Sequence, residues 1–404
     1  MQIPVKKTII VIFLFSFTFA SAQEYSDSKR SIKNSGFQTA AEQTEKYLSL
    51  IRNKQIAIVA NPTSTIGNTH LVDSLMNLGL QIKKVFCPEH GFRGDQEAGE
   101  TVNNFIDAKT KLSVISLYGD QKKPKPADLS GIDIVIFDIQ DVGARFYTYI
   151  STLHYVMEAC AENNIELLVL DRPNPNGFYV DGPVLDKKFA SFVGMHAVPL
   201  VHGMTIAEYA RMINGEKWLN NGIQCKLHTI IVKNYNHTDY YSLPVKPSPN
   251  LLTMSAVYLY PSLCLFEGSI VSVGRGTLKP FQLLGHPKLD SLMFSFMPLS
   301  IKGMSAEPPY KNQQCYGYDL SNYSLKILRN EKKLNLFWLI DLYQRLSPKT
   351  EFFTPFFDKL AGTDQLRKQI IAGKTEEEIR QSWQADLINF KKIRKKYLLY
   401  GDFE

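Results

Sequence analysis

The chain has 404 residues, 44% of them hydrophobic, a formal charge of +7 and five cysteines. That length allows two domains with a sizeable core. The mild basic excess makes no case for nucleic acid, and an odd cysteine count leaves at least one thiol free even if one disulfide forms.

Lys6 and Lys7 precede an apolar run over residues 9–19, and Ala20, Ser21 and Ala22 end it with small side chains. This pattern predicts a secretory signal peptide over residues 1–22, cut before Gln23. The run is too short for a comfortable bilayer span, and no other segment approaches one. No cysteine follows the cleavage point to carry a lipid. The expected mature protein is exported, periplasmic or extracellular, without a membrane span.

From residue 45 onward, apolar strands alternate with helical segments. Residues 56–60 (IAIVA), 83–86, 112–117 (LSVISL), 132–137 (IDIVIF) and 166–170 (ELLVL) read as strands. Residues 68–78 and 149–162 carry helical spacing between them. Strands apolar on both faces and separated by helices predict a parallel sheet, giving an α/β, Rossmann-like domain over residues 45–245. No Gly-x-Gly-x-x-Gly follows the first strand, and no Gly-x-x-x-x-Gly-Lys or Gly-x-Ser-x-Gly occurs. Dinucleotide, P-loop and serine-hydrolase chemistry therefore have no support, and no cofactor is expected.

Each strand ends in polar residues: Asn61 to Ser64, then Glu89 and His90, Tyr118, Asp138 to Asp141, and Asp171 to Asn174. A single strand-end Asp is often a helix cap. Five clusters on the shared carboxyl edge of a parallel sheet describe a cleft. Beyond residue 245 the pattern changes. Residues 246–250 (KPSPN) form a turn-rich connector, and residues 258–266 are apolar. Residues 334–346 are amphipathic, and Thr375 with Glu378 has capping-box spacing ahead of a helix over 379–397. The basic run at 391–396 reads as a wet helix face. These features predict a smaller α+β auxiliary domain over residues 246–404, closing over the first.

Residues 88–100 (PEHGFRGDQEAGE) place Glu89, His90, Arg93, Asp95, Glu97 and Glu100 among three glycines. Glycine lets a backbone turn at positive φ, so several side chains can converge. A charged surface loop is the plainer alternative. Glycoside hydrolysis needs a protonated carboxyl group and usually an ionised one. Glu89 is the candidate acid, with Glu267, Asp138 or Asp141 as its partner and Arg145 placed to orient Asp141. His90 and His202 serve as proton carriers or sugar-binding groups, or as satisfied structural histidines. Arg93, Arg145, Arg172 and Arg275 stand beside the clusters, where a guanidinium fork reads a carboxylate, or else pairs with a neighbouring Asp. Tyr147, Asn174 and Asn250 are candidates for hydroxyl and amide groups. Cys87 is a weak candidate nucleophile.

Taken in order, Asn61-Pro62-Thr63-Ser64, residues 88–100, residues 137–149 (FDIQDVGARFYTY), residues 170–175 (LDRPNP), Phe266-Glu267-Gly268 and Gly274-Arg275-Gly276-Thr277 resemble the exo-β-N-acetylmuramidase family. The resemblance spans roughly residues 45–400. It implies a Rossmann-like domain with an auxiliary domain and a cleft between them. It also implies release of N-acetylmuramic acid from the non-reducing ends of peptidoglycan fragments, with Glu89-His90-Gly91 as the family's Glu-His-Gly motif. The lactyl carboxylate of that sugar would give the arginines a ligand. The expected partner is a peptidoglycan-derived saccharide, not nucleic acid, and nothing in the sequence speaks to an oligomeric state. Two other readings stand beside it. One is a non-catalytic periplasmic binding protein for wall sugars or muropeptides. The other is a metal-dependent hydrolase using Glu89, His90 and Asp138, for which the metal-ligand spacings are missing.

Overall fold

The computed structural model describes residues 36–94, 104–323, 325–346 and 351–404. The expected signal peptide and Asp95, Glu97, Gly99 and Glu100 of the glycine-rich loop lie outside the described residues. Seven strands build the central sheet: β1 (Gln55–Ala60), β2 (Gln81–Cys87), β3 (Phe105–Ile106), β4 (Ser113–Ser116), β5 (Ile134–Asp138), β6 (Glu166–Leu170) and β7 (Lys226–Ile230). Their order is β3-β4-β2-β1-β5-β6-β7, parallel except for the antiparallel edge strand β3.

The sheet has this form because its middle strands are apolar on both faces. Ala57, Val59, Val135, Phe137, Leu167 and Val169 enter one core, whereas Ile56, Ile58, Ile134, Ile136, Leu168 and Leu170 enter the other. Burying each of the larger side chains contributes about 1.5–3 kcal/mol, and a one-residue slip would exchange the two faces. The helices Tyr149–Glu162 and Ile206–Gly215 cover the first face. A second, antiparallel sheet follows, with β8 (Leu283–His286), β9 (Phe294–Phe296) and β10 (Cys315–Asp319) in the order β8-β10-β9. The C-terminal region is otherwise mainly helical. The molecule is thus a mixed α/β protein with a large, mainly parallel sheet and a smaller helical and sheet region.

The structure adjusts several expected elements. The helix expected over 68–78 begins at Leu71, because Thr65–Ile66 and Thr69–His70 pair first as a small hairpin. The C-terminal helix divides into Glu376–Ser382 and Gln384–Lys395, since Trp383 leaves helical geometry at φ −108° and ψ 3°. The capping box is present, with Thr375 Oγ1 accepting from the Glu378 amide. Arg394, expected on a wet face, is 1% exposed and forks onto Asp402 and the Gly203 carbonyl. All five cysteines are buried and reduced, and burial pushes the Cys87 thiol up to about 12, the reverse of what a nucleophile needs.

Below the carboxyl edge lies a layer of buried polar residues, and it corrects part of the expected site. Asp138 takes both Nε (2.6 Å) and Nη2 (2.8 Å) of Arg172, and neither side chain reaches solvent. Asp171 accepts from Thr205 Oγ1, the Ala207 amide and the Tyr400 hydroxyl, so it caps the helix that follows. Asn174 binds the Met204 carbonyl and the Asn176 amide. Gly143, at φ +78°, is required there, because a Cβ would sit 2.3 Å from Asn174 Oδ1. Arg145 does not orient Asp141. Its guanidinium donates to four backbone carbonyls, of Pro183, Val198, Leu360 and Ala361, at 2.7–3.0 Å.

Asp141 and His202 are both buried, with His202 Nε2 3.8 Å from Asp141 Oδ2. Asp141 accepts from the Gly143 amide, and His202 Nδ1 accepts from the Met204 amide, which leaves the His202 proton on Nε2. Burial raises the Asp141 carboxyl to about 7. Burial, with Arg394, Arg145 and His237 nearby, lowers the His202 imidazole to about 3. At pH 5 both are therefore neutral in the fold and both charged in the unfolded chain. The proton counts cancel between the two states, so the pair adds no pH slope to stability between about pH 4 and 6.5. Single variants should expose opposite slopes relative to the parent protein. Asp141→Asn leaves the depressed histidine, so its stability should fall as pH drops from 6.5 towards 3. His202→Gln leaves the raised carboxyl, so its stability should fall as pH rises from 4 to 7. Each slope should approach about 1.4 kcal/mol per pH unit in urea unfolding. Parallel pH profiles for both variants and the parent would refute the assignment.

Candidate active site

A cavity of about 190 Å³ opens at the carboxyl edge of the sheet. Residues before 246 supply one side of it: Glu89 and His90 after β2, Tyr118 after β4, and Tyr147 and Tyr149 after β5. Residues after 246 supply the other: Ser248, Tyr260, Cys264, Glu267, Arg275 and Phe281. Phe192, Phe356 and Leu360 complete the wall.

Local chain geometry aims these groups. The backbone turns sharply after Pro88, whose carbonyl accepts from the Gly91 amide, and His90 adopts φ +73°. Phe281 also has positive φ (+56°) while being almost wholly buried, which is unfavourable for an aromatic residue. Both outliers line the cavity. Glu267 is carried by a 3-10 turn, Cys264–Gly268, that continues the helix Met254–Leu263. Gly268 lets that turn press against a neighbouring helix, since a Cβ there would lie 2.4 Å from Phe357 Cα.

Two carboxylates therefore share the cavity in different settings. Glu89 lies among phenols, hydrogen-bonded to Tyr118 and close to Tyr149. Burial together with Glu89 pushes the Tyr118 phenol well above its usual range, so Tyr118 is a donor at neutral pH. Glu267 is ion-paired, with Arg275 Nε at 2.5 Å and the Cys264 thiol at 3.7 Å. The Arg275 guanidinium lies 5.2 Å from the Phe281 ring centroid. Nε is the only Arg275 donor engaged among the described residues, which leaves the two terminal nitrogens for a ligand.

Aromatic rings form the rest of the surface. Tyr147 packs edge-on against Tyr149 and Tyr260, and Tyr260 against Phe281, with centroids 4.8–5.8 Å apart. The Tyr147 and Tyr149 hydroxyls both donate to the Pro247 carbonyl, which ties the two sides of the cavity together. Flat aromatic faces with a few polar groups suit the C–H faces of a sugar.

Of the residues expected from sequence, Glu89, His90, Glu267, Tyr147 and Arg275 line this cavity. Arg93 instead lines an adjoining hollow and is held by Asp73 and Asp107. Asp138, Asp141, Arg145, Arg172, Asn174 and His202 are held in the buried layer beneath. Asn250 is buried too, donating to the Met304 carbonyl. Sequence reasoning assigned no site role to Tyr118, Tyr149, Tyr260, Cys264, Phe192 or Phe281. Tyr118 and Tyr149 stood within noted strand-end segments, whereas nothing marked Phe281, whose strained backbone appears only in three dimensions.

The sequence model of the exo-β-N-acetylmuramidase NamZ N-terminal region matches residues 56–255, and that of its C-terminal region matches residues 258–400. A curated relative, the peptidoglycan β-N-acetylmuramidase NamZ of Bacillus subtilis, is 40% identical over 375 residues, covering 88% of this chain and 89% of that protein. Two crystal structures of DUF1343-family proteins from Bacteroides fragilis share the fold. The first is 48% identical with a TM-score of 0.85, covering 91% of this chain and 100% of that one. The second is 27% identical with a TM-score of 0.76, covering 90% of this chain and 99% of that one. With both halves matched in order and the same fold in solved relatives, the chain belongs to the exo-β-N-acetylmuramidase NamZ family.

Proposed function

We propose that the cavity binds the non-reducing terminal N-acetylmuramic acid of peptidoglycan fragments and hydrolyses its β-glycosidic bond. The observation that carries this reading is the pair Glu89 and Glu267 in one aromatic-walled cavity, with an arginine beside the second. The name of the Bacillus subtilis relative supports the same substrate class. Glu89 protonates the departing oxygen, with Tyr118 holding its carboxyl group. Glu267, ion-paired to Arg275, stabilises the positive charge that grows at the anomeric carbon in an oxocarbenium-like transition state. The free end of the Arg275 guanidinium meets the lactyl carboxylate of the sugar. His90 lies beside Glu89 and contributes to sugar hydroxyl binding. A binding protein would need the arginine and the rings, but not two glutamates from opposite sides of the chain.

Three outcomes are expected. Glu89→Gln should lower kcat on an aryl N-acetyl-β-muraminide by roughly 10²–10⁴-fold with an unchanged circular dichroism spectrum. Turnover near the parental rate would place the acid elsewhere. Arg275→Ala should reduce kcat/KM on the muraminide more than on the matching N-acetylglucosaminide. A charged hydrogen bond contributes about 1.5–3 kcal/mol, so the excess should be one to two decades. Equal losses would mean that Arg275 acts only through Glu267. Export is read from the N-terminal pattern: N-terminal sequencing of exported protein should begin at or near Gln23, and retention of residues 1–22 would refute that cleavage.

A further inference from the structure

A second hollow, of about 450 Å³, adjoins the cavity and shares His90, Tyr149 and Ser248 with it. Pro62, Pro247, Pro249, Leu252 and Met304 give it a largely apolar floor. Among the described residues no acidic side chain lines it, and two cations stand on its wall, Arg93 and Lys246. They are not equivalent. Arg93 is committed to Asp107 at 2.9 Å and to Asp73 at 3.1 Å, and Lys109 closes the same group, so the four charges balance. Lys246 is exposed and has no ion-pair partner among the described residues.

The position of the acid gives this hollow a direction. A glycosidase acid stands on the side of the departing oxygen. Glu89 is that acid in the reading above, and His90, the next residue, belongs to both hollows. Glu267 and Arg275 line the first hollow and not the second. The bond that breaks therefore lies towards the junction at His90 and Tyr149. The part of the substrate that leaves continues into the open second hollow.

We propose that this second hollow receives the leaving-group saccharide, and that Lys246 meets an acidic group carried on it. The inference rests on the hydrolase reading and deepens it by naming what lies beyond the scissile bond. Sugar C–H faces fit the proline and tyrosine surfaces, and hydroxyl groups reach Ser248 and His90. The occupant is a wall-type saccharide with a neutral N-acetylhexosamine next to the scissile bond and a carboxylate further along. A single neutral aryl group has no such charge and cannot use Lys246.

Steady-state kinetics on three substrates tests this. They are an aryl N-acetyl-β-muraminide, a muramyl-glucosaminyl-muramyl trisaccharide, and the same trisaccharide with its reducing-end carboxylate amidated. Lys246→Ala should lower kcat/KM on the acidic trisaccharide about three- to tenfold more than on the aryl muraminide. Lys246→Glu should widen that gap, and the amidated trisaccharide should close it. Added salt should weaken the preference in the parent protein and not in Lys246→Ala. Calorimetric binding of the acidic trisaccharide to the Glu89→Gln protein should weaken by the same factor when Lys246 is also replaced, independently of turnover. Equal losses on all three substrates, or binding indifferent to Lys246, would overturn the proposal while leaving the hydrolase reading intact. A parent protein that cleaves no muraminide would remove both.

Discussion

A buried guanidinium with no carboxylate partner among the described residues joins the two halves of this chain. Arg145 follows β5 and is inaccessible to solvent, yet it donates to carbonyls at Pro183 and Val198 on one side and at Leu360 and Ala361 on the other. Burial lowers its pKa to about 9, so it remains charged at neutral pH. The Val198 carbonyl also accepts from the Leu185 amide, but a buried acceptor left unpaired costs about 1–3 kcal/mol, which Arg145 averts at its other partners. Leu360 also lines the cavity. The contact that closes the molecule therefore sets the cavity wall as well. Gly362, at φ +71°, belongs to the same arrangement, since a Cβ there would meet Arg145 Nη2 at 2.4 Å.

The arginines divide by where their charge is spent. Arg172 is consumed by the buried Asp138, Arg93 by the buried Asp73 and Asp107, and Arg394 by the partly exposed Asp402. These pairs fix loops at the carboxyl edge. Breaking one would leave an uncompensated charge, which is far costlier than the net worth of the pair. Arg275, which lines the cavity, differs because its bond to Glu267 occupies one nitrogen and leaves the others unengaged among the described residues. The rigid layer beneath allows such a group to be held ready. Asp138, Asn174 and Gly143 hold the strand-end loops, and those loops hold Tyr147 and Tyr149 against Pro247.

Much of this was legible in the residue order. The strand at 166–170 and the helix at 149–162 match the structure residue for residue, because their apolar periodicity has no competing pattern. The short strand β3 and the edge strand β7 were missed. Both are partly exposed, so packing does not impose a continuous apolar run on them. Glu89 and Glu267 were candidates from their positions in glycine-containing segments. Asp138 and Asp141 looked equally good, because a strand-end carboxylate has the same sequence whether it faces a ligand or a neighbouring loop.

The sequence by itself determined the parallel sheet, the polar carboxyl edge and the set of residues from which a site could be drawn. It did so through the two-residue alternation of apolar side chains and the polar groups that interrupt it. Tertiary structure decided which members of that set reach the cavity. Asp138 meets Arg172 across 34 positions, and Arg145 meets Leu360 across 215, and neither pairing leaves a local signature. Only when the region after residue 246 packs over the sheet do Glu267 and Arg275 come to share a cavity with Glu89. Burial, which depends on the whole fold, separates the carboxylates that hold the loops from those that line the cavity.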